Sequence, residues 1–337
     1  MINFNKLEET YIIAEIGSNH NQSLDLAKEM IISAKESGAD AVKFQSIDVG
    51  ELYFNPSQKI KDLHKKIDLS EQWHYDLKDF CDNQQITFFS APTYLKSIDI
   101  LEDINVELYK LASAQIGTFP QLIEAVIKLK KPTLISTGIV SYSELEGVVK
   151  TFAKYNHDNF AIFHCNSLYP TPYEKANLHL IEVYKSMFGK TVGYSDHTEG
   201  IYASLSAVTL GAKIIERHFT TDKNLPIPDA SISILPNEFK DMVQGIRAIE
   251  KSLQHKSRID LEIDEKEFKS NILYRLVLKK DKNSNETFTI DDFDFKRNFD
   301  GIDCRQMDII LNNMQSNEAL FKGELLQWSM LKGKLSS

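Results

Sequence analysis

VGYSDHTEGIYASLSAVTLGAKIIERHFT, residues 192–220, decides how this chain is read. Two short apolar runs each close on a histidine, His197 and His218, with a stretch of helical apolar spacing and a glycine turn between them. As neighbouring parallel strands about 4.8 Å apart, the runs would project both imidazoles from one end of a sheet. That arrangement can hold one divalent ion. Alternation of side chains along a strand puts Ser195 on the face of His197 and Glu216 on the face of His218. Asp196 and Glu216 are the carboxylates placed to orient an imidazole.

Working outward, the same strand-then-helix alternation runs from Tyr11 to about Leu253. Eight strands are predicted: YIIAEIG, AVKFQS, ITFFSAP, LYKLAS, PTLISTG, FAIFHCN, TVGYSD and KIIERHF. Helical segments such as Leu24 to Ser37 and Ser143 to Lys154 separate them. Eight such units match a closed (β/α)8 TIM barrel better than an open doubly wound sheet, and no GxGxxG follows the first strand. Catalytic groups of this fold gather where strands end. Glu15, Lys43, Gln45, Lys110, Ser113, Ser136, Ser167, Ser195, His197, Glu216 and His218 all fall there. The barrel is assigned to residues 1–255, a charged linker to 256–270, and a small β-rich domain to 271–337, with strands in LYRLVLKK, ETFTI and DFDFKR.

Each polar position has a chemical reading. An ammonium facing a barrel interior is costly unless it meets an anion, so Lys43 and Lys110 point to a phosphate or carboxylate ligand; imine formation is the other use of a desolvated lysine. Serines 113, 136, 167 and 195 can donate to such an anion or cap helices. Glu15 serves as an acid or base, or as a salt-bridge partner for a lysine. Pro226-Ile227-Pro228-Asp229 is a stiff loop able to present Asp229 to a hydroxylated ligand. Two imidazoles leave an octahedral ion mostly open to water or substrate, which suits Mn²⁺, or Mg²⁺ or Co²⁺, as a Lewis acid.

Composition narrows the classes. A formal charge of -9 and the absence of a basic, aromatic-interleaved block oppose nucleic-acid binding. No apolar run reaches membrane-spanning length, and the polar N-terminus lacks a secretory layout, which points to the cytoplasm. Three widely spaced cysteines, Cys81, Cys165 and Cys304, suggest neither a disulfide framework nor a thiolate metal site.

The segments YIIAEIGSNHN, GADAVKFQS, LYKLAS, LISTG, HCNSLYPTPYE, VGYSDHTEG, GAKIIERHFT and PIPDAS, in that order, resemble the sialic acid synthase family. The tail is similar to the antifreeze-protein-like (SAF) module that follows the barrel in these enzymes. The resemblance implies metal-dependent condensation of phosphoenolpyruvate with an N-acylated aldose, typically N-acetylmannosamine, to a nine-carbon 2-keto sugar acid and phosphate. Water supplies the new oxygen at C2. It implies that His197 and His218 bind the ion, that Lys43, Lys110, Ser113, Ser136, Ser167 and Ser195 surround phosphoenolpyruvate, and that Glu15 and Glu216 lie at the reacting carbons. Gln45, Asn55, Tyr169 and Asp229 match sugar contacts. Arg297 matches an arginine that reaches the partner's barrel in a homodimer. Departures border the sugar pocket: Ala91 where relatives carry threonine, a short loop around Asn55, Ile227 in place of glycine, and Asn298-Phe299 after Arg297. A 2,4-diacetamido hexose leading to legionaminic or pseudaminic acid is therefore the alternative substrate. A Schiff-base aldolase or lyase, and a non-catalytic carbohydrate-binding protein, are the competing readings.

Overall fold

The computed structural model describes residues 2–254 and 259–334. The chain divides into two compact units, Met1–Gln254 and His255–Ser337. The sequence-derived boundary at 255/256 and the end of the second module lie outside the described residues.

In the first unit, eight parallel strands form a nearly closed barrel: β1 (Tyr11–Gly17), β2 (Ala41–Ser46), β3 (Thr87–Pro92), β4 (Tyr109–Leu111), β5 (Thr133–Ser136), β6 (Phe160–Cys165), β7 (Val192–Asp196) and β8 (Ile214–His218). Their order is β3-β2-β1-β8-β7-β6-β5-β4, and β3 adjoins β4 across the remaining seam. Pairing of β8 with β1 sets Glu15 opposite His218, while β1 sets Glu15 opposite Lys43 on β2. All eight strands coincide with the predicted runs. Local signals start the helices between them: Ser23 caps Leu24–Glu36, Ser141 forms a capping box with Glu144 ahead of Tyr142–Lys154, and Pro120 and Pro236 open theirs.

Two apolar layers follow from the strand pleat. Outward side chains pack under the helices. Inward ones form a second cluster of Ile13, Ala41, Phe89, Leu108, Leu134, Ala161, Phe163 and Ile214, closed by Phe4 from a turn ahead of β1. Two residues further along several of these strands the inward face becomes polar: Ile13 leads to Glu15, Ala41 to Lys43, Leu108 to Lys110, Leu134 to Ser136 and Ile214 to Glu216. A dry floor therefore lies beneath a charged layer.

The connection from β2 to β3 contains two helices, Val49–Leu52 and Gln58–Ile67, ahead of the barrel helix Glu71–Gln84, where only a loop around Asn55 is expected. In the second unit, helix Ile263–Ile272 occupies most of the expected linker and runs past its end. Antiparallel pairs β9 (Tyr274–Leu278) with β10 (Phe293–Arg297), and β11 (Met314–Ser316) with β12 (Leu331–Gly333), enclose a core of Leu276, Leu278, Phe288, Phe293, Ile302, Ile310, Leu320 and Leu326. ETFTI is not a strand: Thr287 makes one isolated bridge to Gln315, and Thr289 caps the turn Ile290–Asp292. Its β-branched residues are used for a turn that buries Phe288. Among the described residues no helix is long and apolar enough to cross a membrane.

Phe152, fully buried beneath its helix, packs on Phe160 with centroids 4.3 Å apart, away from the charged layer. Phe152→Ala should cost about 3–5 kcal/mol, read as a lower denaturant midpoint in equilibrium unfolding.

Candidate active site

The charged layer opens into a cavity of about 360 Å³ at the carboxyl ends of the strands. Every predicted site residue lines it except Asn55, Asp229 and Arg297. Asp229 borders the cavity, with Oδ2 3.8 Å from Nδ1 of His218 and accepting from Ser18 Oγ at 3.4 Å. Asn55 is exposed beyond the end of helix Val49–Leu52, with φ of 50°, and does not reach the cavity wall. Arg297 belongs to the second unit, where it is exposed at the end of β10 and stacks over Tyr274 at 5.4 Å.

At the base of the cavity, two ammonium groups and two carboxylates interlock. Lys43 Nζ lies 2.7 Å from Glu15 and 3.7 Å from Glu216; Lys110 Nζ donates to Glu216 Oε1 at 2.5 Å. Gln45 donates to Glu15 at 2.7 Å, Ser195 donates to Glu216 at 3.1 Å, and the Lys110 ammonium sits 4.8 Å over the Phe163 ring. Burial pulls the Lys43 ammonium down, but the Glu15 and Glu216 carboxylates more than reverse this and leave it raised. Burial pushes the Glu216 carboxyl up, yet Lys110 and Lys43 outweigh it and hold it well below its ordinary range. Burial leaves Lys110 lowered in spite of Glu216. Thus both sequence readings of Glu15 converge on one place: it is salt-bridged to Lys43 and also faces the cavity.

Ser113, Ser136 and Ser167 form the opposite wall. Ser113 Oγ accepts from the backbone N–H of Gly138 at 2.8 Å and lies 3.6 Å from Cys165 Sγ. A Cβ at Gly138 would come within 3.0 Å of Ser113 Oγ and 3.2 Å of Cys165 Sγ and would collide with Ser167 Oγ. The glycine therefore keeps open a small recess ringed by hydroxyls and one thiol. Cys165 is a wall residue that the sequence reading set aside; its alternation with inward-facing Phe163 is the signal that could have found it.

The two imidazoles stand beside this recess, with ring centroids 5.3 Å apart. His197 Nδ1 donates to the Asn166 carbonyl at 2.6 Å, which directs the lone pair of Nε2 outward. Burial, reinforced by the nearby His218, lowers His197 to about 3, so the ring is neutral and able to ligate. Nδ1 of His218 is buried without a hydrogen-bond partner. The Tyr169 ring lies 4.2 Å from that of His197 and 6.1 Å from that of His218, covering both. Among the described residues no group of three or more His, Cys, Asp or Glu is disposed to hold a metal. The donor set is thus two imidazoles, which suits an ion that keeps most positions for water or substrate oxygens.

Neither carboxylate expected to orient an imidazole does so. The carbonyl of Asn166 holds His197, Glu216 turns to Lys110, and Asp196 faces away from the cavity. Asp196 accepts from Thr198 N and Oγ1, both at 2.8 Å, and from Ser204 Oγ at 2.6 Å, and pairs with the buried Arg217 at 3.3 Å. Arg217 also donates to the carbonyls of Asp196, at 2.7 Å, and of Thr198. Its guanidinium thereby braces the backbone on both sides of His197. Arg217 was not singled out in the sequence because it lies on the outward face of β8, between the two site residues of that strand.

Fold and site together define a barrel whose cavity offers a lysine- and serine-lined surface with the charge and hydrogen-bond donors to suit a small anion, next to two imidazoles. The NeuB family model matches residues 30–258. A protein of Methanocaldococcus jannaschii described as uncharacterised is 40% identical over 97% of this chain and 96% of its own length. The N,N'-diacetyllegionaminic acid synthase of Campylobacter jejuni is 34% identical over 91% of this chain and 96% of its own. The crystal structure of N-acetylneuraminic acid (sialic acid) synthetase from Leptospira borgpetersenii, in complex with citrate, is 35% identical and superposes with a TM-score of 0.71 over 77% of this chain and 90% of that one. The chain belongs to the NeuB family, and it is an enzyme of the phosphoenolpyruvate-dependent class that forms carbon–carbon bonds.

Buried neutral histidines make stability depend on pH. His20, fully buried, is lowered by burial to about 4, and His197 to about 3. The unfolded chain takes up protons below about pH 6.5 that these folded rings refuse. Their contribution is therefore complete above pH 6.5 and lost as pH falls towards their folded values. At pH 5 each should cost about 2 kcal/mol relative to pH 7.5. Melting curves should show the decline, and His20→Gln should reduce its slope.

Proposed function

We propose that the chain catalyses the metal-dependent condensation of phosphoenolpyruvate with an open-chain N-acylated hexose, giving a nine-carbon 2-keto sugar acid and phosphate. The observation that carries this reading is the lysine- and serine-lined cavity over a dry floor, with two imidazoles at its edge. C3 of phosphoenolpyruvate would bond to the aldehyde carbon, water would add its oxygen at C2, and phosphate would leave. Lys43 and Lys110 would neutralise the phosphate and carboxylate, with Ser113, Ser136, Ser167 and Ser195 as hydroxyl donors. As the lysines turn towards substrate oxygens, they would release Glu15 and Glu216. Glu216 Oε2, buried and without a hydrogen-bond partner, is then the oxygen available to accept a proton. Held by His197 and His218, a divalent ion such as Mn²⁺, with Mg²⁺ or Co²⁺ as substitutes, would polarise the aldehyde.

The hexose is either N-acetylmannosamine or a 2,4-diacetamido hexose leading to legionaminic or pseudaminic acid. The names of the Leptospira and Campylobacter relatives support one each. Phosphate release should be followed with phosphoenolpyruvate, Mn²⁺ and each hexose in turn. Chelator should abolish it, and His218→Ala should lower it by on the order of a hundredfold or more, because a Lewis acid contributes several kcal/mol. Turnover that survives metal removal would refute the mechanism. The lowered Lys110 favours imine chemistry as the second reading; borohydride trapping with pyruvate should leave no adduct on it if the condensation is correct.

Residues 271–337 are read as an antifreeze-protein-like module that carries Arg297 into the partner's barrel of a cytoplasmic homodimer. Arg297→Ala and His218→Ala should then each be impaired alone, and a mixture reassociated into mixed dimers should regain phosphate release. Light scattering should report the dimer.

A further inference from the structure

On β3, Phe89 faces the floor and Ala91 stands at the level of Gln45; Thr93, one residue past the strand end, lines the cavity wall at its rim. Thr93 Oγ1 donates its proton to the Ser46 carbonyl at 2.6 Å. That acceptor is immobile: the Ser46 hydroxyl is fully buried and tied at 2.8 Å both to His74 Nε2 and to Ser90 Oγ, while His74 Nδ1 is held by the Ser70 carbonyl at 2.9 Å. With its hydrogen committed inward, the Thr93 oxygen offers the cavity only lone pairs.

An acceptor-only oxygen discriminates between the two substrates. Fully ionised phosphoenolpyruvate has no O–H or N–H group, and its phosphate and carboxylate oxygens would be repelled by those lone pairs. An acylated amino sugar carries hydroxyl and amide N–H donors. Ala91, just below, adds no polar atom. The anion is thus confined to the wall of lysines and serines, and the rim of β3 is left to the sugar.

We propose that Thr93 is a specificity-determining residue that accepts a hydrogen bond from a hydroxyl or amide N–H of the hexose and helps set the orientation in which the aldehyde meets the second substrate. The proposal rests on the condensation reading above. Valine matches threonine in shape but has no acceptor, whereas serine keeps it. Thr93→Val should therefore raise the KM for the preferred hexose about tenfold, the loss expected when a donor is left unpaired. The KM for phosphoenolpyruvate should stay unchanged, and Thr93→Ser should restore the hexose KM. A hexose KM within twofold of the unmodified enzyme in Thr93→Val, or an equal rise for phosphoenolpyruvate, would overturn it. If the unmodified enzyme released no phosphate with any hexose, the reaction itself would be refuted. Saturation-transfer NMR with the same hexoses would then decide the role of Thr93: weaker binding by Thr93→Val than by the unmodified protein upholds it, and equal binding or none to the unmodified protein ends it.

Discussion

Two ammonium groups and two carboxylates share the interior of one barrel, and the rest of the site is arranged around keeping them paired. Taking an ion out of water costs several kcal/mol, and only close opposite charges and hydrogen bonds return it. Lys43 meets Glu15 across the β1–β2 ladder, and Lys110 reaches Glu216 from the far side of the barrel. The dry floor of Phe89, Phe163 and Leu134 beneath them strengthens each attraction and excludes competing water. Two groups of each sign offset one another, so the cluster is internally compensated yet strongly polarised. It is suited to exchanging one anionic partner for another.

A single strand does opposite jobs on its two faces. From β8, Glu216 and His218 face the cavity, while Arg217 points to the other side and braces the turn that carries His197. The two imidazoles are thus coupled through backbone carbonyls on the far side of the sheet. His197 is held in this way without a carboxylate hydrogen-bonded to its ring.

Much of this architecture is legible in the chain because a barrel converts a period of two into inside and outside. Ser195 with His197, and Lys43 with Gln45, could be placed on common faces from alternation alone. Features that depend on what crosses the sheet were not visible. Arg217 reads as an ordinary outward residue until its partner carbonyls are known, and Asp196 looks like a ligand orienter because Ser204 and Thr198 cannot be seen to claim it. Thr93 lies beyond the strand end, where alternation no longer guides. Helix Val49–Leu52 is too short to show a period, while Gln58–Ile67 does carry Ile60, Leu63 and Ile67 at helical spacing, a signal among many lysines that the sequence reading passed over; Asn55 lies exposed between the two helices, off the cavity wall. ETFTI has strand composition, but its chain is recruited into a capped turn.

The bare Cα of Gly138, just after β5, lies where side chains from the two flanking strand ends converge, Ser113 after β4, Cys165 on β6 and Ser167 just beyond it. None of these neighbours can grow without trespassing on the space the others use. Variation at the four positions is therefore expected to be epistatic: an exchange tolerated at one depends on which residues already occupy the remaining three, so this corner of the barrel can diverge only by concerted steps.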